Sequence, residues 1–211
     1  MSRIRNVILL VLMLIPVTAT AGVYEDMMQA ISLDDDKTVA TLLQRGMDVN
    51  TVSPQGEALL TLAVREGKLN VIKAILAFHP KINARNAYGE TALMLAALKG
   101  QNDTVKLLLE KGAEVNQPGW TPLIYSAVHN RVDIARMLIG RGAKVDAAAD
   151  NGTTALMMAS REGNLEMVLL LLEYGADVNH RTKFGYSALA MALDHGKREV
   201  AETLIRAGAE Q

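Results

Sequence analysis

The chain has 211 residues, with 22 Lys and Arg against 23 Asp and Glu, so its formal net charge is −1. This balance argues against the clustered basic surface that nucleic-acid binding requires, and we expect no nucleic-acid partner. Because the chain has no cysteine, a disulfide framework and a thioether-linked lipid are both excluded.

The first 21 residues have the organisation of a secretory signal peptide. Arg3 and Arg5 precede an apolar run over 7–15, and Ala19-Thr20-Ala21 provides a cleavage site of the small-x-small type. The apolar run is too short to span a bilayer, which takes about 20 residues. We expect cleavage after Ala21 and a mature chain over 22–211 that is free of the membrane. A short signal on a cysteine-free chain favours the bacterial periplasm.

The rest of the chain repeats one pattern six times. Successive copies start 33, 33, 30, 33 and 33 residues apart, at Glu25, Ala58, Thr91, Thr121, Thr154 and Ser187. Such a period is typical of a stacked solenoid, in which each unit buries its apolar face only against its neighbours. No linker-like segment interrupts the copies, so we predict one elongated domain over 22–211, with a weaker first copy.

Each copy begins with a predicted helix. Two and five residues after the start come an apolar residue and a small residue, as in Leu93 and Ala96, which indicates close packing against a neighbouring helix. Nine residues after the start, the helix should end at a residue that accepts positive φ at low cost. These residues are Asp34, Gly67, Gly100, Asn130, Gly163 and Gly196.

A second helix is predicted from an apolar stripe centred seventeen residues after each start, as in Val105, Leu108 and Leu109. Its predicted ends are Gly46, His79, Gly112, Gly142, Gly175 and Gly208. A glycine two residues before each later start predicts a turn that projects sideways from the stack. We call these turns fingers.

End repeats of a solenoid need polar outer faces. In the last copy we expect solvated charges along the second helix, with three apolar residues facing inward. The charged residues are Lys197, Arg198, Glu202 and Arg206, and the apolar ones are Val200, Leu204 and Ile205. The segment 34–37 makes the first copy polar at its first turn.

Three strings, Gly89-Glu90-Thr91-Ala92-Leu93, Gly119-Trp120-Thr121-Pro122-Leu123 and Gly175-Ala176-Asp177-Val178-Asn179, resemble the ankyrin repeat. That family's pattern runs Gly-x-Thr-Pro-Leu-His and later Leu-Leu-x-x-Gly-Ala-Asp-Val-Asn. The resemblance covers 25–211 and implies an all-α fold, an ankyrin-repeat solenoid of six helix-turn-helix repeats with protruding β-turn fingers. The family histidine is replaced by Thr61, Met94, Ile124, Met157 and Ala190.

The resemblance also implies a non-catalytic protein-protein interaction module that holds a protein partner on its concave face. We expect a monomer without a cofactor or a metal. Mixed charges favour a polar protein partner. The partner-binding residues implied by position are Arg85, Tyr88, Glu90, Trp120, His129, Arg161, Arg181, Phe184 and Tyr186. For Trp120 and Tyr186, covering the next turn is an equally good interpretation.

Two alternatives stay open from the sequence. One is an immunity or inhibitor protein that blocks a toxin or hydrolase in the same compartment. The other is an enzyme, which has less support because the histidines at 79, 129, 180 and 195 lack metal-ligand spacing. The 30-residue interval also shortens the finger at 116–119 by three residues. This either leaves a notch beside Trp120 or is tolerated variation in a surface loop.

Overall fold

The computed structural model describes the backbone of residues 17–210 and the side chains of 22–210. Apart from the backbone of 17–21, the predicted signal peptide over 1–21 lies outside the described residues. Within 17–210 the chain forms twelve helices: α1 (Val17–Ser32), α2 (Asp36–Gln44), α3 (Leu59–Glu66), α4 (Leu69–Leu76), α5 (Ala92–Lys99), α6 (Asn102–Glu110), α7 (Pro122–Val128), α8 (Val132–Gly140), α9 (Ala155–Glu162), α10 (Leu165–Glu173), α11 (Ala188–Asp194) and α12 (Arg198–Arg206).

The helices form six antiparallel pairs that stack in chain order. Odd-numbered helices are the first helices of the pairs, and from α3 onward they pack closely on one another, whereas the second helices from α4 onward touch their counterparts much less. Between the first two pairs the order is reversed, and α2 contacts α4 more extensively than α1 contacts α3. The stack is therefore tighter along the row of first helices, which makes that side concave. Extended pairing in the described part of the chain is limited to one isolated bridge, between Val52 and Ala58. The predicted all-α solenoid with projecting turns is confirmed.

The core follows the repeated offsets. The residues two and five positions into each copy are buried in all six copies, from Met27 and Ala30 in the first to Leu189 and Ala192 in the last. The polar exception, Ser126, donates its hydroxyl to the carbonyl of Leu123 at 2.7 Å, so its burial leaves no unbonded donor. A small side chain at this offset lets neighbouring first helices approach each other closely.

The helix ends also lie where the pattern predicts them. All twelve predicted end residues have positive φ, including the non-glycine residues Asp34, His79 and Asn130 at 57°, 53° and 53°. Hydrogen bonds to the next repeat help to hold Asp34 in this conformation. Its carboxylate accepts them from the Val71 amide at 3.2 Å and from Asn70 Nδ2 at 3.0 Å.

Two features of the end repeats differ from expectation. The described part of helix α1 extends back to Val17 and so passes Glu25, where the pattern predicts the start of the first copy. It therefore runs across the predicted cleavage position after Ala21. In the last repeat Val200 and Leu204 are buried as predicted, but the prediction for Ile205 is wrong because its side chain is exposed. At the same offset Leu43, Leu76 and Leu109 are buried, whereas Ile139 and Leu172 are only partly buried.

A row of side-chain oxygens joins consecutive repeats. Each oxygen belongs to an Asn or Asp in the extended link that follows a second helix. Asn83 Oδ1, for example, accepts a hydrogen bond from the Glu114 amide at 3.0 Å. The same bond recurs along the stack, from Lys81 to Asn50, from Lys144 to Asn116, from Asp177 to Asp146 and from Glu210 to Asn179. This role was not predicted from the sequence. Its signal was the Asn or Asp that recurs in the extended link of each copy.

Replacing Asn83 with alanine is expected to lower the free energy of unfolding by about 1 kcal/mol, the usual net contribution of one such bond. The exposed Glu114 amide can bond water instead, which keeps the loss small. Urea denaturation followed by circular dichroism measures it. Asn102→Ala, at an exposed position of α6, should change stability by less than about 0.5 kcal/mol. Equal losses in the two variants would show that the bond at Asn83 contributes nothing particular.

Candidate functional site on the concave face

Four fingers are closed by the same backbone hydrogen bond. In each, the amide of the first finger residue donates to the carbonyl of the fifth, at 2.8 to 2.9 Å. The pairs are Ser53 with Glu57 in the first finger, Asn86 with Glu90 in the second, Ala149 with Thr153 in the fourth and Thr182 with Tyr186 in the fifth. The third finger is the shortened one at 116–119. In the second finger Asn86 Oδ1 also accepts the amides of Tyr88 and Glu90, both at 2.9 Å. The finger tips are therefore held in place before any partner arrives.

Two of the predicted binding residues, Arg85 and Arg181, brace the fingers. Arg85 donates from Nη1 to the carbonyl of Gly89 at 2.8 Å and from Nη2 to the carbonyl of Pro118 at 2.9 Å. The second finger is thereby attached to the shortened third one. Arg181 makes the corresponding bond to the carbonyl of Gly185 at 3.1 Å. Both guanidinium groups lie at the predicted face, and both have a structural role there.

The aromatic residues of the fingers fall into two groups. Tyr88 and Phe184 project from finger tips with 83% and 79% of their surface exposed, and Tyr186 is 49% exposed. Trp120 is instead half-buried and packs against Tyr125, with the ring centroids 5.2 Å apart and the planes tilted by 57°. Trp120 therefore packs on α7, the helix that follows it, whereas the side chains of Tyr88 and Phe184 are exposed to solvent.

The carboxylate of Glu90 is positioned by neighbouring side chains. It accepts hydrogen bonds from Asn86 Nδ2 at 2.9 Å and from the Tyr125 hydroxyl at 3.1 Å. Burial of the Tyr125 phenol, followed by the nearby Glu90 charge and their hydrogen bond, raises the pKa of Tyr125 to about 12. Because the fold favours the protonated phenol, this group contributes stability that is fully present below its unfolded pKa of 10.0.

We expect that contribution to be lost as the pH rises from 10.0 through about 12, the two pKa values of Tyr125. Ultraviolet absorbance of tyrosinate should show a component at the high-pH end of the titration that disappears in Tyr125→Phe. In Glu90→Gln the same component should move to lower pH, because the neighbouring negative charge is gone. A titration that is unchanged in both variants would contradict the assignment.

The remaining predicted residues lie at the exposed ends of first helices. His129 follows α7 as its C-cap, and Arg161 near the end of α9 pairs with its neighbour Glu162 at 2.7 Å. Glu57 and Arg65 form an ion pair that was not predicted from the sequence. Arg65 donates from Nε and Nη2 to Glu57 Oε1 at 2.9 and 2.7 Å, and this hydrogen bonding raises the pKa of the Arg65 guanidinium.

An open concavity of about 570 Å³ lies between the second and fourth fingers, beside the shortened third finger. Its lining residues are Arg85, Tyr88, Gly89, Pro118, Gly119, Trp120, Tyr125 and Asp150. Four predicted binding residues, Arg85, Tyr88, Glu90 and Trp120, thus meet in or beside this notch. Arg181, Phe184 and Tyr186 form a second group on the fifth finger, and His129 and Arg161 stand apart from both.

The described residues contain neither a cluster of metal-binding side chains nor a helix that could cross a membrane. Within 22–210, no three or more His, Cys, Asp or Glu side chains are placed so that they could hold a metal ion. None of the helices α1 to α12 combines the length and the apolar character that crossing a bilayer requires.

Comparison with known proteins decides the family. The family model for ankyrin repeats matches the chain three times, over residues 27–118, 60–149 and 141–211. The chain belongs to the ankyrin-repeat family. Ankyrin repeats are protein-protein interaction modules, and ankyrin-repeat proteins are mostly non-catalytic.

The relatives share the repeats rather than a whole architecture. Ankyrin repeat and SAM domain-containing protein 6 of Rattus norvegicus is 39% identical over 98 residues, which is 44% of this chain and 11% of that protein. Protein phosphatase 1 regulatory subunit 27 of Mus musculus is 39% identical over 93 residues, 42% of this chain and 60% of the relative. The mouse B-cell lymphoma 3 protein homolog is 31% identical over 130 residues, 58% of this chain and 29% of the relative.

The chain therefore matches less than two thirds of the length of each of these relatives. All three are mammalian, so the bacterial and exported origin stays a prediction from residues 1–21.

Proposed function

We propose that this ankyrin-repeat protein is a non-catalytic adaptor that binds a partner protein through its finger tips and concave face. The proposal is carried by one observation: Tyr88 and Phe184 are almost fully exposed on fingers whose backbones are already locked by hydrogen bonds. Aromatic side chains are enriched among the residues that dominate binding energies. A fixed finger loses little conformational entropy when its tip is buried, which favours affinity.

The name of one relative agrees with a binding role. Protein phosphatase 1 regulatory subunit 27 is named as a subunit that regulates another protein. For this chain we infer the same kind of function, which is to bind a partner protein without carrying out chemistry of its own.

The exported setting is the second part of the proposal, and it is supported by the basic, apolar and small-x-small regions of residues 1–21. When the chain is produced in a Gram-negative bacterium, the periplasmic fraction should contain a protein whose intact mass corresponds to a start at Gly22. Ala19→Leu with Ala21→Leu should block this processing. A full-length chain found in the cytosol would rule out export.

A photo-crosslinking amino acid tests the binding face in the native cell. Placed at Tyr88 or Phe184, it should capture a partner protein. Placed at Tyr174, an exposed tyrosine that follows the second helix α10, it should capture none. Tyr174 is the matched control because it is an exposed aromatic residue outside the fingers, with 45% of its surface accessible.

The captured partner then allows an affinity measurement. Tyr88→Ala and Phe184→Ala should each weaken binding at least about tenfold, as expected for hot-spot residues, with unchanged helical circular dichroism. Tyr174→Ala should bind like the native chain. Equal affinities for all four proteins would show that the finger tips are not the binding site. Trp120 is a poor choice for this test because its ring supports Tyr125.

The inhibitor alternative is favoured by the shape of the same fingers, because a projecting Tyr88 or Phe184 side chain can enter a cleft. An inhibitor should bind with a nanomolar or lower Kd, about that of tight protease inhibitors, and should abolish its partner's activity at a one-to-one ratio. An adaptor should leave that activity in place.

A further inference from the structure

Three departures from the repeat pattern occur together beside the notch. The third finger, at 116–119, is three residues shorter than the pattern requires. Trp120, just before the start of the fourth copy, takes an offset that holds glutamate, threonine or tyrosine in the other copies that follow a finger. Tyr125, four residues into the fourth copy, takes an offset that holds leucine or methionine in those copies. The fold makes the same demand on each inner copy of a stack, so departures confined to one copy indicate a binding role.

The departures shape the walls of the notch. Its volume is about 570 Å³, and Tyr88, Trp120 and Tyr125 contribute three aromatic side chains to its lining. The π-electron face of an aromatic ring attracts cations, most strongly in tryptophan. A guanidinium group also stacks flat on such rings. The lining is therefore suited to a cationic side chain.

Glu90 beside the notch has no ion-pair partner, unlike the glutamate at the same offset one copy earlier. That residue, Glu57, pairs at 2.7 Å with Arg65, seven residues into its copy. The position equivalent to Arg65 in the copy of Glu90 is Leu98. The bond to Glu57, and after it the charge of Glu90, raises the pKa of Arg65, so this cation is already committed. Within 22–210 the Glu90 carboxylate accepts hydrogen bonds from two neutral side chains and forms no ion pair.

Asp150 adds a second carboxylate from the fourth finger. It lines the notch and is exposed, and its side chain has no hydrogen-bond or ion-pair partner among the described residues. The cation of the lining, Arg85, donates to the carbonyls of Gly89 and Pro118 and to neither carboxylate. Two carboxylates and one guanidinium therefore lie in or beside the notch, and the balance of charge there is negative.

We propose that the notch receives an arginine side chain of the partner protein, which stacks on the aromatic wall and pairs with Asp150 near the charge of Glu90. This inference rests on the proposed function and adds the chemistry of the partner. A planar guanidinium combines stacking on rings with paired hydrogen bonds to a carboxylate. A lysine ammonium is a point charge without this geometry. An acidic side chain would be repelled by the two carboxylates.

Acetyl-arginine amide, a blocked form of the single residue, tests the notch without the partner. Trp120 is the single tryptophan of the chain, so its fluorescence reports on this site. Titration of the purified protein should change the emission in a saturable manner, with a millimolar Kd because the ligand is so small. Acetyl-citrulline amide keeps the shape of the side chain and removes its charge, and it should produce no saturable change.

Variants of the carboxylates identify the recognising groups. Asp150→Asn should weaken binding of the arginine compound at least about fivefold and Glu90→Gln at least about threefold, with unchanged helical circular dichroism. Asp103→Asn is the matched control, because it removes an exposed carboxylate of α6 outside the notch, and it should bind like the native chain.

Four results would overturn the arginine notch. They are no saturable change up to about 100 mM of the arginine compound, far above the millimolar Kd expected, equal binding of the citrulline compound, equal affinity in Asp150→Asn, and an equal loss in Asp103→Asn. Tighter binding of acetyl-glutamate amide would also reject it, since Arg85 would then be the recognising group.

This test fails separately from that of the adaptor. Capture of a partner at Tyr88 without binding of the arginine compound would reject the arginine notch and keep the adaptor. Binding of the arginine compound without capture of any partner would support the chemistry of the notch and reject the adaptor.

Discussion

Leu108→Ala is expected to lower the free energy of unfolding by about 3 to 5 kcal/mol, the range for a leucine removed from a rigid core. Leu108 is completely buried in α6, at the centre of the apolar stripe of the third repeat. It packs within a core whose neighbours Val105 and Ile75 are equally inaccessible. Helices on both sides hold the surrounding side chains in place, so the cavity can collapse only in part.

The position of Leu108 in the stack adds a second effect. In a repeat protein each repeat is stabilised mainly by its neighbours. A weakened central interface therefore allows the two halves of the stack to unfold at different urea concentrations. The urea transition of Leu108→Ala should therefore become broader as well as shift to lower concentration. Leu169→Ala is the control, since it truncates a leucine of another second helix that is largely exposed, and it should cost less than about 1 kcal/mol. Similar losses for both leucines would contradict the assigned core.

Gly152→Ala is expected to destabilise the chain by about 2 to 3 kcal/mol and to displace the fifth finger. Gly152 has a φ of +87°, and a Cβ there would stand 2.9 Å from Thr182 Cα and 3.1 Å from the Lys183 amide nitrogen. Both obstacles belong to backbone, which cannot move aside without breaking the hydrogen bond from the Lys183 amide to the Asn151 carbonyl at 3.0 Å.

Gly142→Ala separates the cost of left-handed backbone strain from the cost of the steric clash. Gly142 has a nearly identical φ of +84°, but no described atom lies within 4 Å of the added Cβ. It should therefore cost only the left-handed strain, about 1 kcal/mol. Urea denaturation compares the two variants, and partner binding by Gly152→Ala should also weaken because the fifth finger carries Phe184. If both alanines cost the same, the close approach of the two fingers has no energetic consequence.

These contacts explain how short turns can present a binding surface. The second finger is fixed by Asn86 and Arg85, and the fourth and fifth fingers support each other through Asn151 and Lys183. The tip side chains take no part in this bonding. Tyr88 and Phe184 can consequently be varied to change partner preference without a large effect on stability, which separates specificity from folding in this molecule.

Much of the architecture could be predicted from the sequence because the relevant demands are periodic and local. Positive φ at His79 and Asn130 follows from the place of these residues in the repeat, and burial of Leu108 follows from its spacing. The notch beside Trp120 was predicted as one of two options from a missing three-residue segment. Each of these inferences depends on the backbone or on one helix face.

The tertiary structure decided which polar side chains are free to bind. Arg85 and Glu90 lie at the predicted face, but their partners Pro118 and Tyr125 come from the next repeat, more than 30 residues away in the chain. A long side chain at a known offset can reach several acceptors, and only the stacked neighbours select one. The exposure of Ile205 was decided in the same way, because its offset is apolar in every copy, yet the side chain there is buried in the first three copies, partly buried in the next two and exposed in the sixth.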